Sequence, residues 1–165
     1  QMEDRGGHCA SGTHGYIASA LVYSPSESAI DTIQKFPFAS DWTSVATDVG
    51  NLSNPFAGSN AGANSETHGY SHGGKQYAPP TNWTNIIEKW SFSADGNSTD
   101  VGDLLGVIRN NSGSSSPSYG HSAGGKGSPS AHSNVIQKFA FASDGNSTDV
   151  GDLTLARGKL SGHSG

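Results

Sequence analysis

One phrase occurs three times in this chain. It reads FASDGNSTDVGDLT at residues 141 to 154, FSADGNSTDVGDLL at residues 92 to 105 and, in a diverged form, FASDWTSVATDVGNLS at residues 38 to 53. A glycine that opens each repeat unit, at Gly15, Gly69 and Gly120, recurs at intervals of 54 and 51 residues. This period is longer than that of the common helical and leucine-rich repeats. The chain is therefore predicted to consist of supersecondary units of about fifty residues.

The alignment of these copies predicts the repeat boundaries. We expect an atypical first repeat at residues 1 to 56 with a partial preceding strand, a second at 57 to 109, a third at 110 to 157, and the start of a fourth at 158 to 165. The last stretch, RGKLSGHSG, aligns with RGGHCASGTHG near the start. We therefore expect either an excerpt of a longer repeat protein or a subunit that meets another copy of itself.

The composition favours an ordered, turn-rich, all-β protein with a thin core. Hydrophobic residues make up 32% of the chain and charged residues 14%, and there are 23 glycines, yet aromatic and β-branched residues return at fixed positions. The net charge of -5 and the lack of a Lys/Arg cluster argue against nucleic-acid binding. The lack of a long apolar run argues against membrane insertion. Cys9 is the one cysteine, which excludes an intramolecular disulfide framework.

Each unit is predicted to contain four short β-segments separated by turns. The third segment is the clearest, as in NIIEKWSF at residues 85 to 92, where alternation places Ile86, Trp90 and Phe92 on one face and Glu88 interrupts the apolar stripe. This pattern indicates a half-buried strand. The Asp-Gly pairs before the fourth segment predict a type I′ hairpin in which Gly96 and Gly145 have positive φ.

The stretches between the second and third segments vary from unit to unit and contain Pro and Ser, as at residues 75 to 83 and 126 to 133. Variable loops on a regular scaffold are common binding surfaces. Exposed aromatic rings there are suited to stacking on sugar rings. The candidate binding residues are Lys75, Tyr77, Trp83, Lys126 and His132.

The layout of a unit resembles the kelch repeat: paired glycines, an aromatic strand after a loop, a turn, another strand and then an arginine. The stretches HGYSHGG and NVIQKFAFASDGNSTDVGDLTLAR are more closely similar to kelch-like repeats of virion appendage proteins from aquatic tailed phages, including cyanophages. The resemblance covers essentially the whole chain. The first unit departs from it, since residues 18 to 20 read ASA in place of the paired glycines.

The resemblance implies an all-β fold of about three kelch-like β-propeller blades with four strands each. Closed propellers typically have four to eight blades, so we expect further copies or further chain to complete the ring. The implied function is that of a structural or receptor-binding component of a tail fibre or virion appendage, located on the virion or outside the cell. Its partners would be copies of itself, neighbouring virion proteins and cell-surface carbohydrate.

The alternative function is a polymerising subunit of an extracellular filament or surface layer. In that case the exposed ends of the repeat array dock head to tail. A concentration-dependent filament would distinguish this alternative from a discrete appendage.

Six Asp and Asn residues have spacings similar to those of calcium loops. The EF-hand pattern also requires a glycine at its sixth position and a glutamate at its twelfth, and both are missing here. Because Asp and Asn are common turn residues, a hairpin turn is favoured over a metal site. The weak candidates for calcium are Asp95, Asn97, Asp100, Asp144, Asn146 and Asp149.

Histidines recur in part, at His14, His68 and His121, and His72 would share a strand face with His68 as two zinc ligands do. No third ligand stands at a telling spacing, so structural hydrogen bonding is favoured and no metal or other cofactor is expected. Asp100 and Asp103 form a carboxylate pair that recurs in the third unit. A residue that serves one reaction has no reason to recur in every unit, so we do not expect an enzyme.

Five Asn-x-Ser/Thr sites are candidates for glycosylation. Matches of this kind are frequent by chance in a chain rich in Asn, Ser and Thr, and two of them lie in the recurring DGNST turn. The five are Asn51, Asn82, Asn97, Asn110 and Asn146.

Overall fold

The computed structural model describes residues 7–22, 28–39, 45–56, 59–76 and 82–162. All regular structure within these ranges is β-strand, in sixteen segments. The prediction of an all-β protein is confirmed. Across the same ranges we find no helix with the length and hydropathy of a membrane span.

Twelve of the strands form three antiparallel sets of four, and a short hairpin extends the first set to a six-stranded sheet. Sheet 1 contains β1 (Gly7–Ala10), β2 (His14–Val22), β3 (Ser28–Pro37) and β4 (Thr47–Phe56). Sheet 2 contains β5 (Ala61–Asn64), β6 (His68–His72), β9 (Ile86–Ser91) and β10 (Thr99–Asp103), with the short strands β7 (Lys75–Gln76) and β8 (Asn82–Trp83) lying between β6 and β9 in the chain. Sheet 3 contains β12 (Ser112–Ser115), β13 (Tyr119–Ala123), β15 (Val135–Ala140) and β16 (Thr148–Asp152).

The short strands connect neighbouring units. Strands β7 and β8 form a hairpin that joins the end of β4 through the pairing of Phe56 with Gln76. Strand β11 (Ile108–Arg109), which follows sheet 2, pairs with β14 (Lys126–Gly127), which belongs to the loop of the third unit. The end of the second unit therefore lies next to the loop of the third unit.

The hydrophobic core consists of two clusters, and each lies between successive sheets. The first cluster joins sheets 1 and 2 and contains Cys9, Tyr16, Ala18, Ile33, Leu52 and Trp90. The second joins sheets 2 and 3 and contains Ala63, Tyr70, Ile87, Leu104, Ile108 and Phe139. Most members of the second cluster are the repeat equivalents of members of the first. The same joint is therefore built twice.

Sheet 2 has a neighbour on both sides, which corrects the expectation of a half-buried third strand. In β9, Ile87 is fully buried toward sheet 3, while Trp90 and Glu88 are buried toward sheet 1. Glu88 does not interrupt an apolar stripe as an exposed residue would, since it is 1% exposed. Face-to-face stacking of sheets buries both faces of a central strand.

The predicted type I′ hairpin at the Asp-Gly pairs is wrong. Strand β9 ends at Ser91 and β10 begins at Thr99, so a longer loop connects them. Such a turn needs φ near +60° at both central residues. The φ of Gly145 is 154°, and Gly96 does not belong to the glycines with positive φ. The third and fourth strands do pair antiparallel as expected.

The first unit lacks the paired glycines, but its backbone has the same conformation at the position of the first glycine. Ser19 has φ 64°, close to the 66° of Gly73 and the 60° of Gly124, which are its repeat equivalents. A non-glycine residue in this region costs about 1 kcal/mol. The buried Ser19 Oγ donates a hydrogen bond of 3.3 Å to Asn60 Oδ1, and this bond offsets part of that cost.

Candidate functional site

The recurring phrase forms the joint, which is the packed contact between two successive sheets. One part of this contact is made by the glycine of the DVG sequence. A Cβ atom built on Gly50 would lie 2.1 Å from the carbonyl oxygen of Gly96, and one on Gly102 would lie 2.3 Å from that of Gly145. The DGN loop of each unit thus packs directly on the last strand of the unit before it. Only glycine leaves room for this approach.

Backbone and amide hydrogen bonds hold the same loop in place. Asn97 Oδ1 accepts a bond of 3.0 Å from the backbone N–H of Asn51, and Asn146 Oδ1 accepts one of 3.0 Å from that of Asp103. The backbone N–H of the following serine, Ser98 or Ser147, donates to the carbonyl of the same strand residue. The same pair of hydrogen bonds therefore occurs at both joints.

A buried polar side chain completes each joint. The Glu88 carboxylate accepts bonds from the backbone N–H and Oγ of Ser53 across the joint, and a 2.9 Å bond from Ser98 Oγ. In the next joint, Gln137 Oε1 accepts bonds of 2.8 Å from the N–H of Leu105 and 2.7 Å from Ser147 Oγ. Burial raises the pKa of Glu88, although the bonds from Ser53 and Ser98 act in the opposite direction.

Aromatic stacks and ion pairs repeat with the same spacing. Tyr16 stacks on Phe92 with ring centroids 4.7 Å apart, and Tyr70 stacks on Phe141 at 4.8 Å. Burial raises the pKa of Tyr70 to about 12. At the rim, two lysines reach the aspartates of the next unit, in the pairs Lys35–Asp95 at 3.1 Å and Lys89–Asp144 at 2.5 Å.

The joint accounts for the residues considered as calcium ligands. Asp95 and Asp144 pair with lysines, and the amides of Asn97 and Asn146 bond the neighbouring strand. Asp100 Oδ1 and Asp149 Oδ1 accept bonds of 3.1 and 3.0 Å from the N–H of the glycine two residues later. Within the described ranges, no group of three or more His, Cys, Asp or Glu side chains is placed to hold a metal ion.

Three of the histidines, His14, His68 and His72, have structural contacts. His14 and His68 each place Nδ1 2.8 Å from the hydroxyl of the preceding threonine. His72 is fully buried between sheets 2 and 3, where desolvation lowers its pKa to about 3. Its Nδ1 lies 3.2 Å from Asn111 Nδ2. Its ring packs edge-on against the Phe139 ring, with the two ring centroids 5.3 Å apart.

Four of the five predicted binding residues lie on the loop surface formed by strands β7, β8, β11 and β14. Lys75 pairs with Trp83 in the hairpin. Lys126 lies opposite Arg109 in the β11–β14 strand pair, and its backbone forms an isolated β-bridge with His132. Tyr77 lies outside the described residues.

Arg109, which the sequence did not single out for binding, connects the β7–β8 hairpin to the β11–β14 strand pair on this surface. The Arg109 guanidinium lies over the Trp83 ring, 4.6 Å from its centroid. A wide depression beside this pair is lined by Gln76, Asn82, Trp83, Val107 and Ser128 and has a volume of about 560 Å³. The surface thus combines an aromatic ring, amides and cations. An arginine at the end of the second and third units was visible in the sequence. The contact of Arg109 with Trp83, however, depends on the bond from the backbone N–H of Ile108 to the carbonyl of Thr84 within the second unit.

A second concavity was missed by the sequence reasoning. First strands of successive sheets lie so close that a Cβ on Gly62 would meet the carbonyl oxygen of His8 at 2.0 Å, and one on Gly113 would meet that of Gly62 at 2.0 Å. Next to them, a cavity of about 170 Å³ is lined by His8 and by residues 59–62, 110–113 and 159–162. The recurrence of Asn60 and Asn111 was the available signal. Their amides bond Ser71 and Ser122.

The five Asn-x-Ser/Thr sites differ in their surroundings. Asn82, Asn97 and Asn146 are exposed, while Asn51 and Asn110 are half-buried. The amides of Asn97 and Asn146 already serve the joints, which leaves Asn82 as the exposed site outside them. Glycosylation of these sites stays a prediction.

Comparisons with known proteins address the fold. No protein-family model matches the chain, and no curated protein matches it. A solved structure titled "Structure of YjhT" matches with a TM-score of 0.74 at 8% sequence identity, over 94% of this chain and 54% of that one. The chain therefore spans about half the length of that structure. At this identity the similarity concerns the fold alone.

Proposed function

We propose that the chain is a run of three kelch-like β-propeller blades that serves as a structural and receptor-binding component of a tail fibre or virion appendage. One observation carries the propeller part of the proposal. Three antiparallel sheets, of which the first is extended by a hairpin to six strands, stack in chain order, and their first strands lie side by side. That is how blades surround the axis of a propeller. The virion setting is supported by the resemblance of the repeated phrase to kelch-like appendage repeats.

The proposed receptor is a cell-surface glycan bound at the loop surface. Trp83 offers its ring to a sugar in the depression, while Gln76 and Asn82 offer hydrogen-bonding groups for the hydroxyls of the sugar. The carboxylates of Asp100 and Asp149 accept backbone hydrogen bonds within their own strands, which favours a structural role for them over catalysis. No enzymatic activity is proposed.

Glycan-array and whole-cell binding with matched variants tests the receptor proposal. Trp83→Ala removes the ring at the depression, and we expect it to reduce binding at least tenfold. Tyr119→Ala is the control, because Tyr119 is also an aromatic ring under a cation, with Lys138 Nζ 4.3 Å from its centroid, and lies on sheet 3 outside the loop surface. Equal binding by the wild type and Trp83→Ala would contradict the proposed site.

A further inference from the structure

The loop surface is positively charged, although the chain as a whole is acidic. The chain has 14 Asp and Glu residues against 9 Lys and Arg residues. None of the acidic residues lies at positions 67 to 87 or 104 to 143, and these two segments contain all four strands of the loop surface. Lys75, Arg109 and Lys126 do lie in those strands. The charge of this surface is therefore opposite in sign to the net charge of the chain.

Strand pairing places basic side chains of this surface in one row. Residues directly opposite each other on antiparallel strands have their side chains on the same face. Lys126 lies opposite Arg109 on one side and opposite His132 on the other. The Arg109 guanidinium in turn lies over the Trp83 ring. The row therefore leads from an aromatic ring to two cations and an imidazole.

Within the described part of the chain, no carboxylate balances the two cations of the row. Lys35 and Lys89, at the joints, each pair with an aspartate. Arg109 and Lys126, in contrast, form no ion pair with a described residue, and their side chains donate no hydrogen bond to one. Like charges directly opposite each other on paired strands are destabilising. The pairing of Arg109 with Lys126 thus costs stability in the chain alone, and a bound anion would offset that cost.

We propose that the glycan bound at the loop surface is acidic, and that Arg109, Lys126 and His132 bind its carboxylate or sulfate group. This inference rests on the proposed receptor function and adds the class of sugar. A guanidinium is suited to such an anion because its planar fork donates two parallel hydrogen bonds, and an ammonium adds a compact charge. The depression at Trp83 is also lined by Ser128, two residues after Lys126. The row therefore borders the place where the sugar ring would stack.

A glycan array that presents each acidic glycan beside its neutral counterpart tests the class of ligand. Uronic-acid oligosaccharides are compared with the corresponding neutral hexose oligosaccharides, and sulfated galactans with unsulfated ones. We expect the wild type to bind an acidic member at least about tenfold more tightly than its counterpart, because only the acidic member forms charge-assisted bonds. The preference should shrink as NaCl is raised from about 0.05 to 0.5 M, since salt screens exposed charges. Which of the two comparisons shows the preference distinguishes a carboxylate from a sulfate.

Lys126→Gln removes one charge from the row and preserves most of the side-chain length. We expect it to bind the acidic glycan at least about tenfold more weakly and the neutral counterpart as the wild type does. Its urea midpoint should be no lower than that of the wild type, because Arg109 loses a like charge opposite it. Lys138→Gln is the matched control, since Lys138 is also a cation near an aromatic ring but lies on sheet 3 outside the loop surface, and it should bind like the wild type.

The possible failures separate this inference from the receptor function. Binding that depends on Trp83 but is equal for acidic and neutral glycans, or restricted to neutral ones, would overturn the inference and leave the proposed function standing. Acidic-glycan binding that is unchanged in Lys126→Gln would also overturn the inference. A wild-type chain that binds no glycan would contradict the proposed receptor function and this inference with it.

Discussion

His72 gives the fold a pH dependence that can be worked out from its surroundings. It is fully buried, and its Nδ1 faces the amide N–H of Asn111, which donates to it. The remaining ring proton is therefore on Nε2, which has no hydrogen-bond partner in the described part of the chain. A second proton would bury a charge with no acceptor.

The sign and size of the effect follow from the shift in pKa from 6.5 to about 3. Below pH 6.5 the unfolded chain binds a proton that the folded chain does not, so the free energy of unfolding falls as the pH falls. One pKa unit corresponds to about 1.4 kcal/mol, so His72 alone lowers the free energy of unfolding by about 2 kcal/mol between pH 7 and pH 5. The loss continues until the pH approaches the folded pKa.

Urea unfolding followed by circular dichroism at several pH values measures this loss. His72→Gln removes the titrating group and keeps a neutral acceptor for the Asn111 amide, so its stability should lose about 2 kcal/mol less than the wild type between pH 7 and pH 5. His121→Gln is the control, because it alters a half-buried histidine of sheet 3 and leaves His72 in place. Wild type and His72→Gln with the same pH dependence would refute the reasoning.

Two further predictions concern buried groups at the first joint. Because burial raises the pKa of Glu88 in the folded chain, the wild type should lose stability relative to Glu88→Gln as the pH rises from 4 to 7, which the same urea titrations would detect; the natural Gln137 shows that an amide fits this position. Burial also raises the pKa of the Cys9 thiol, so iodoacetamide should label Cys9 only after unfolding, and rapid labelling of the native chain would contradict its position in the core.

The sequence allowed the period and the four-strand unit to be predicted, because both depend on local patterns. Alternating apolar residues indicate strands, and small polar residues between them indicate turns. The burial of Glu88 was not predictable in the same way. A carboxylate in an apolar stripe looks like an interruption until the neighbouring unit supplies Ser53 as its partner.

The part that sequence reasoning assigned wrongly was the Asp-Gly turn. A local rule favoured a tight hairpin, whereas the loop serves a contact with another unit, where Gly102 must leave space for Gly145. Likewise, variability marked the loops as a binding surface, but the contact between Trp83 and Arg109 joins two segments of the second unit that are distant in the sequence. Contacts between repeats are invisible to rules that consider one repeat at a time.

The central claim is that the recurring phrase is a joint between stacked sheets, and the stability difference between Gly102→Ala and Gly151→Ala tests it most directly. The two glycines are repeat equivalents with φ of 152° and 151°, so the backbone strain of alanine is the same at both. At Gly102 the new Cβ would lie 2.3 Å from the Gly145 carbonyl oxygen, and at Gly151 it meets nothing within 4 Å.

Forcing the sheets apart costs about 1–3 kcal/mol in packing, and a lost hydrogen bond adds about 1 kcal/mol. Urea unfolding at a dilution where the chain is monomeric should therefore show Gly102→Ala to be less stable than Gly151→Ala by about 2 to 4 kcal/mol. Equal stability of the two variants would contradict the joint.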